Sequence, residues 1–166
     1  MKTHWLYAIG LGSNRRHGRH GAPEKVIAAA LREIGTVRAA SPVLATRAFG
    51  AAARRFANAA ALIDSSLPPP RLLEALKATE RRFGRRSGRR WGDRVLDLDI
   101  LLWSGGAWRG PGLTIPHAGL ANRESVLRPL SVIAPGWGLP GSALTIRQLA
   151  ARLRRPRPVD RRGPAS

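Results

Sequence analysis

One short stretch, positions 94–102, constrains the fold more than any other, because it alternates apolar and acidic residues. In a β-strand successive side chains point to opposite faces. Leu96 and Leu98 therefore share one face, which we expect to be the core. Asp97 and Asp99 share the other face. The alternation predicts a half-buried strand that carries two carboxylates side by side.

This carboxylate pair, Asp97 and Asp99, favours a metal site. Two carboxylates on one face repel each other unless a cation lies between or beside them. Oxygen ligands on a rigid element suit Mg²⁺, which keeps waters and bridges to substrate phosphates. Two such ions can clamp a phosphoryl transfer. The alternative is a solvated carboxylate pair on an exposed sheet face. The flanking sequence distinguishes a metal site from such a pair.

Apolar runs and turn residues predict the other elements. The predicted order is a strand at 5–11, a helix at 23–34, strands at 37–46 and 56–64, a helix at 70–83, the acidic strand, a tight turn at 104–106, and helices at 126–134 and 145–153.

The predicted element order defines the fold class. The order β-α-β-β-α-β with a C-terminal extension is that of a ferredoxin-like, split βαβ sandwich. We therefore expect an α+β fold with an antiparallel sheet and helices on one face. Residues 1–153 are expected to form a single domain. The Arg/Pro-rich tail at 154–166 is expected to be disordered.

Composition favours a globular protein that binds anions. The chain has 166 residues, no cysteine and a formal net charge of +19. Disulfides and thiolate metal sites are therefore excluded. No apolar run is long enough for a signal-peptide core or a membrane helix, so a cytoplasmic protein is expected. Such basic chains attract nucleic acid, anionic lipid or phosphorylated small molecules, although much of the charge is also consistent with a solvated surface.

An arginine-rich loop lies directly before the acidic strand. Between Gly84 and Arg94 the sequence interleaves five arginines with three glycines. Arginine forms charge-assisted pairs with phosphate oxygens, and glycine allows a loop to close over a ligand. The alternative is a basic surface loop or a nucleic-acid patch. Its position beside two strand aspartates favours a site that holds a polyphosphate together with metal ions.

A third cluster follows the acidic strand, between Leu113 and Arg123. His117 and Arg123 are both able to donate to phosphate oxygens. Taken alone, His117 is equally well explained as a partly buried histidine without a ligand.

Together these clusters resemble a known family. The twelve-residue run from Arg90 to Leu101, with Trp91, Arg94, Asp97 and Asp99, is similar to the signature of the 6-hydroxymethyl-7,8-dihydropterin pyrophosphokinases of folate biosynthesis. Shorter pieces agree in order and spacing: Gly12-Ser13-Asn14, Phe56-x-Asn58-Ala59, Leu113-Thr114-x-Pro116-His117 and Asn122-Arg123. The resemblance covers about residues 7 to 140. The long run is highly specific, whereas each shorter piece is weak alone.

The resemblance implies an enzyme that transfers pyrophosphate from ATP to the hydroxymethyl group of the pterin and releases AMP. Asp97 and Asp99 would hold two Mg²⁺ ions between the substrates. The residues implied around the triphosphate are Arg85, Arg94, His117, Arg123 and one of Arg86 or Arg89. Those implied around the nucleotide are Glu80, Arg90, Trp91, Ile100 and Thr114. Those implied around the pterin are Thr46, Phe49, Phe56 and Asn58.

The sequence departs from the family at several positions. Ser125 stands where a phenylalanine usually contacts the pterin, and Phe49 is a candidate to fill that space from another loop. Gly112 replaces an expected basic residue, for which Arg109 is a candidate substitute. Asp93 stands where proline is usual. The two aspartates are intact, so we expect activity.

Two other classes remain open from the sequence. The element order and the charge also suit a nucleic-acid-binding module, but Asp97 and Asp99 on the corresponding strand would repel phosphate. A family member that binds pterin or ATP without catalysis is the second alternative. The expected partners are ATP and the pterin, without membrane or nucleic acid, and the expected state is a monomer.

Overall fold

The computed structural model describes residues 3–47, 55–84 and 94–154, with the side chains of Thr46, Arg47 and Arg55 left out. Several predictions lie outside the described residues: those for Phe49, Arg85, Arg86, Arg89, Arg90 and Trp91, and that for the tail after Arg154.

The described residues form seven strands and four α-helices. In chain order these are β1 (Trp5–Ser13), α1 (Pro23–Ala30), β2 (Thr36–Ala40), β3 (Leu44–Arg47), β4 (Arg55–Ser65), α2 (Pro69–Arg82), β5 (Asp97–Trp103), β6 (Trp108–Gly110), β7 (Leu113–Ile115), α3 (Glu124–Ile133) and α4 (Ile146–Arg154).

The main sheet has the strand order β2-β4-β1-β5, and β3 also pairs with β4. All of these pairs are antiparallel, as predicted. A separate hairpin joins β6 to β7. In the register of the main sheet, Gly12 of β1 lies opposite Asn58 of β4 on one side and Asp97 of β5 on the other. The sheet thus brings residues that are far apart in sequence into one row.

The strand predicted at 37–46 is two strands, because Ser41 and Pro42 interrupt the ladder. Ser41 bonds to Ala60 of β4 twice, donating its N–H to the carbonyl at 2.9 Å and accepting the Ala60 N–H on Oγ at 3.0 Å. Pro42 has no N–H to continue the pattern. The prediction of one continuous strand was therefore wrong at this point.

One face of the sheet packs against α1 and α2. Tyr7, Ile9 and Leu11 alternate along β1 and are buried there with Val26 of α1 and Leu76 of α2. This period of two on the strand and the apolar stripes on the helices were visible in the sequence.

The opposite face is covered in part by α3 and α4. Ala8 and Ala60 of the central strands are buried against Leu130 of α3 and Ile146 of α4. α1 and α2 thus lie on one face, as expected for the β-α-β-β-α-β unit, and the C-terminal extension adds helices on the other face. Within the described residues, no helix is long and apolar enough to cross a membrane.

The last helix, predicted from residue 145, begins with a capping box. Gln148 accepts the N–H of Thr145 at 2.9 Å, and Thr145 Oγ1 accepts the N–H of Gln148 at 3.4 Å. The two bonds satisfy free N–H groups at the start of α4.

Candidate active site

The two aspartates lie on β5, and the side chains of both are partly exposed. Gly10 and Gly12 of β1 face Asp99 and Asp97 across the ladder, and neither glycine has a side chain to fill the surface between the strands. A Cβ built on Gly12 would lie 3.5 Å from Asn58 Oδ1 and 3.9 Å from Asp97 Cβ. Gly12 therefore leaves a shallow floor open between the Asn58 amide and Asp97, whereas the Leu101 side chain lies over Gly10, 3.3 Å from where a Cβ would be.

Asp97 is paired with Arg94. The Arg94 guanidinium donates to Asp97 Oδ2 at 2.7 Å. Asn14, just after β1, holds the backbone of Arg94 at both polar groups: its Oδ1 accepts the Arg94 N–H at 2.7 Å, and its own N–H donates to the Arg94 carbonyl at 3.1 Å. The arginine is thus anchored where the loop of residues 84–94 returns to the sheet.

Asp99 has a more distant partner than Asp97. Its Oδ2 lies 4.0 Å from Nε2 of His117. Burial raises the pKa of Asp99 above its ordinary value, and the nearby Asp97 raises it further, while His117 and Lys77 act in the opposite direction. A cation bound beside both carboxylates would relieve this repulsion.

His117 is oriented by hydrogen bonds from its own segment. Its Nδ1 accepts the Gly119 N–H at 3.0 Å, and its backbone N–H donates to the Leu101 carbonyl at 3.0 Å. With Nδ1 accepting, a neutral imidazole carries its proton on Nε2. That Nε2–H group is the one that points toward Asp99.

Glu80 of α2 does not lie on the ligand-accessible surface. It is 0% exposed, and its Oε1 accepts the Leu98 N–H at 2.7 Å and a Lys77 Nζ–H at 2.7 Å. The direct nucleotide contact expected for Glu80 is therefore not supported by this geometry, because a fully buried side chain has no surface to offer. Its carboxylate instead contacts the backbone between the two aspartates.

Two cavities meet at Asp99 and His117. A cavity of about 420 Å³ lies on one side, lined by Leu73, Lys77, Asp99, Ile100, Gly110, Gly112, Leu113, Thr114, His117 and Ala118. A smaller one of about 100 Å³ lies on the other, lined by Gly10, Leu11, Gly12, Asn58, Ala59, Asp97, Asp99, Leu101, His117, Arg123, Ser125 and Val126. A ligand in the larger cavity would reach Asp99, and one in the smaller cavity would reach both carboxylates.

The residues implied around the nucleotide and the pterin separate between these cavities. Ile100, Thr114 and His117 line the larger one. Asn58 lines the smaller one, and Arg123, expected at the triphosphate, lies there too.

Phe56, the expected pterin-stacking residue, lines neither cavity. It is 37% exposed and lies two residues before Asn58 on β4, so it shares the face of Asn58. Thr46 of β3 pairs with it in the ladder.

The carboxylate pair fits Mg²⁺ better than a metal that needs many protein ligands. The described part of the chain contains no group of three or more His, Cys, Asp or Glu residues that could hold a metal ion. Mg²⁺ is usually bound through one or two carboxylates, waters and substrate phosphates. Asp97 and Asp99, both partly exposed, provide that donor set.

Two residues with clear roles in this geometry were missed from the sequence. Lys77 lines the larger cavity and donates to the Leu98 carbonyl of β5. It was missed because a Lys and a Glu three residues apart on a helix usually form a surface pair. Asn14 belonged to a recognised short motif, yet its bonds to Arg94, 80 residues away, could be found only from the sheet.

Solved structures define the class of fold. A Plasmodium falciparum HPPK-DHPS, whose structure is described as wild type with SDX-DHP, superposes with a TM-score of 0.68 over 92% of this chain and 45% of that chain, at 12% sequence identity. The fold is therefore a mixed α/β fold with an antiparallel sheet, shared with that protein.

The sequence comparison defines the family. The profile described as 7,8-dihydro-6-hydroxymethylpterin-pyrophosphokinase (HPPK) matches residues 8–135, and the chain belongs to this family. Two relatives are named 2-amino-4-hydroxy-6-hydroxymethyldihydropteridine pyrophosphokinase. That of Pseudomonas aeruginosa is 39% identical over 137 residues, covering 80% of this chain and 82% of the relative. That of Synechocystis sp. is 42% identical over 104 residues, covering 63% of this chain and 53% of the relative.

The extent of the match differs among relatives. In the Haemophilus influenzae and Methylorubrum extorquens enzymes of the same name, the match spans 56% and 61% of the relative's length.

Proposed function

We propose that this chain transfers the terminal pyrophosphate of ATP to the hydroxymethyl group of 6-hydroxymethyl-7,8-dihydropterin and releases AMP, a step of folate biosynthesis. The observation that carries the proposal is the position of the carboxylate pair: Asp99 lines both cavities, and Asp97 lines the smaller one. Membership of the family supports the same reaction. Such a transfer needs two ligands on opposite sides of one cluster of charges.

Asp97 and Asp99 are the proposed ligands of Mg²⁺, with two ions expected. Bound Mg²⁺ would neutralise charge on the transferred pyrophosphate and align it with the attacking hydroxyl. The pKa of Asp99 is raised first by burial and second by the neighbouring Asp97, and a cation bound beside Asp99 would offset both effects.

The cationic residues are proposed to hold the triphosphate. Arg94, now paired with Asp97 at 2.7 Å, would transfer its guanidinium contact to a phosphate oxygen when metal takes its place at the carboxylate. His117 would donate from Nε2, which its Nδ1 bond leaves available. Arg123, at the smaller cavity, would reach the phosphate from the pterin side. Arg85, Arg90 and Trp91 remain proposals from the family resemblance alone.

The two cavities are assigned by size and lining. The nucleotide is proposed for the cavity of about 420 Å³, with Ile100 and Thr114 beside it. The pterin is proposed for the smaller one, where Asn58 offers an amide to the edge of the heterocycle. Phe56, with Thr46 across the ladder, is proposed to complete that site from the exposed side, together with Phe49.

The finer structural expectations are proposals as well. The strand order β2-β4-β1-β5, with β2 and β3 counted as one interrupted strand, supports a ferredoxin-like, split βαβ description. Residues 1–153 as one domain, a cytoplasmic location and a monomeric state stay predictions.

The test follows the nucleotide product. The protein is incubated with ATP, Mg²⁺ and 6-hydroxymethyl-7,8-dihydropterin, and AMP is resolved from ADP. Asp97→Asn removes one ligand charge at the site. Asp64→Asn is the matched control, because Asp64 is paired with Arg38 at the far end of β4.

Pterin-dependent AMP that is lost in Asp97→Asn and kept in Asp64→Asn would establish the reaction and the role of the carboxylate. ADP as product would show that a single phosphoryl group is transferred. Binding of both substrates without turnover would identify a non-catalytic binder, and Ser125→Phe would then be the first variant to restore the usual aromatic contact.

A further inference from the structure

Leu98 lies between the two aspartates, and its backbone forms hydrogen bonds with two side chains of α2. Because β5 is at the edge of the main sheet, Leu98 has two backbone groups that no strand satisfies. Its N–H donates to Glu80 Oε1 at 2.7 Å, and its carbonyl accepts from Lys77 Nζ at 3.0 Å. Side chains one turn apart on a helix thus replace the missing neighbouring strand at this single residue.

The contact depends on the charge of Lys77. Glu80 is 0% exposed, whereas 31% of the Lys77 side chain is exposed, and the two are 2.7 Å apart. A buried carboxylate is tolerated when it is paired and hydrogen-bonded, and it becomes costly when its cation is removed. Without the Lys77 ammonium, Glu80 Oε1 loses a charged donor, and we expect the carboxylate to move and its bond to the Leu98 N–H to weaken.

We propose that Lys77 is a positioning residue for the aspartate pair, acting through Glu80 and the backbone of Leu98. The proposal rests on the proposed function, in which Asp97 and Asp99 hold Mg²⁺ at the polyphosphate. Both carboxylates are attached to the residues that flank Leu98, so a displacement of Leu98 moves them together. Metal and phosphate geometry tolerates displacements well under 1 Å before binding suffers.

A direct contact between Lys77 and the nucleotide is the competing role, because Lys77 also lines the larger cavity. The two roles make different predictions. A positioning role changes the backbone at Leu98 in the absence of any ligand and affects binding that requires metal. A direct contact leaves the ligand-free backbone unchanged and affects nucleotide binding with and without metal.

The variants are Lys77→Met, which keeps the length of the side chain and removes its charge, and Lys77→Arg, which keeps the charge. Arg71→Met is the matched control. Arg71 and Glu74 form a pair with the same spacing on the same helix at 2.7 Å, but their side chains are 68% and 64% exposed.

Two quantities are measured without pterin, so that neither depends on turnover. The first is the exchange rate of the Leu98 amide in the ligand-free protein, followed residue by residue by NMR. We expect Lys77→Met to raise it by at least about tenfold, the lower end for a lost hydrogen bond to a charged group. The second is the affinity for α,β-methylene-ATP by calorimetry. With Mg²⁺ it should fall by at least about tenfold, and with excess EDTA it should stay as in the wild type.

Lys77→Arg is expected to recover most of both effects, and Arg71→Met to show neither. The proposal is overturned if Leu98 exchange in Lys77→Met equals that of the wild type, or if nucleotide affinity falls equally with Mg²⁺ and with EDTA. Failure of the proposed function would be seen separately, as absence of pterin-dependent AMP from the wild type.

Discussion

Tyr7, the only tyrosine of the chain, tests the packing of the core between the sheet and helices α1 and α2. Tyr7 of β1 is 0% exposed, and its hydroxyl donates to the Leu67 carbonyl at 2.7 Å. Burial raises the pKa of Tyr7 from 10.0 to about 12. The neutral hydroxyl is the form that the fold favours, so its contribution to stability is fully present below about pH 10 and is lost as the pH rises toward about 12.

The magnitude follows from the shift. Two pKa units at 1.36 kcal/mol each correspond to about 2 to 3 kcal/mol of unfolding free energy lost across that range. Tyr7→Phe removes the ionising group together with one hydrogen bond, and we expect it to lower stability by about 1 kcal/mol at neutral pH. That loss corresponds to about 2–4 °C in melting temperature for a chain of this size.

The assay is urea unfolding of wild type and Tyr7→Phe at about pH 8 and about pH 11.5. The difference in unfolding free energy between the two proteins cancels the contribution of lysine titration, which both share. Because the chain has a single tyrosine, the absorbance of tyrosinate reports on Tyr7 alone. The wild type should lose its advantage over the variant at the higher pH. Parallel loss of stability in both proteins, or ionisation of Tyr7 in the folded state near its ordinary pKa, would refute the reasoning.

Three further predictions concern the site. His117→Ala should raise the KM for ATP by about 10- to 100-fold, because a hydrogen bond to a charged phosphate is lost; steady-state kinetics test this, and an unchanged KM would remove His117 from the phosphate site. Asn14→Ala should lower kcat/KM by about tenfold while stability falls by about 1 kcal/mol, because Arg94 loses one of its two backbone anchors; a stability loss with full activity would show that the anchor serves only the fold. Gly12→Ala should keep the melting temperature of the wild type, since the new Cβ would lie 3.5 Å from Asn58 Oδ1, an ordinary contact. The added methyl group should weaken pterin binding, measured by fluorescence. Unaltered binding would show that the pterin binds elsewhere.

Local patterns predicted much of this arrangement. The alternation in β5 determines that Asp97 and Asp99 share a face, and nothing in the tertiary structure changes that. Residues three to four apart in the sequence determine the apolar stripes of α1 and α2 and the capping box of α4. These features could therefore also be predicted from the sequence. The break in the strand at 37–46 was missed. A proline interrupts a strand only where its N–H would be needed for pairing, and the pairing at Ser41 and Pro42 is known only from the sheet.

Non-local features were beyond such patterns. The C-terminal extension was expected to be helical, but its packing on the second face depends on small residues, Ala8 and Ala60, that leave room for α3 and α4. Alanine in a central strand does not by itself indicate what will cover it. The same holds for the row of Asn58, Gly12 and Asp97, which exists only through the register of three strands.

Glu80 is the clearest case of a residue whose role depends on its environment. The family resemblance implies a place for it around the nucleotide. In the structure α2 lies against the edge of β5, and Glu80 has no exposed surface. A buried carboxylate needs polar partners, and Lys77 and the Leu98 N–H both contact its Oε1. A helix pair of this kind contributes little at the surface. Here it contacts both backbone groups of the residue between Asp97 and Asp99, and that burial is the physical basis of the positioning role proposed for Lys77.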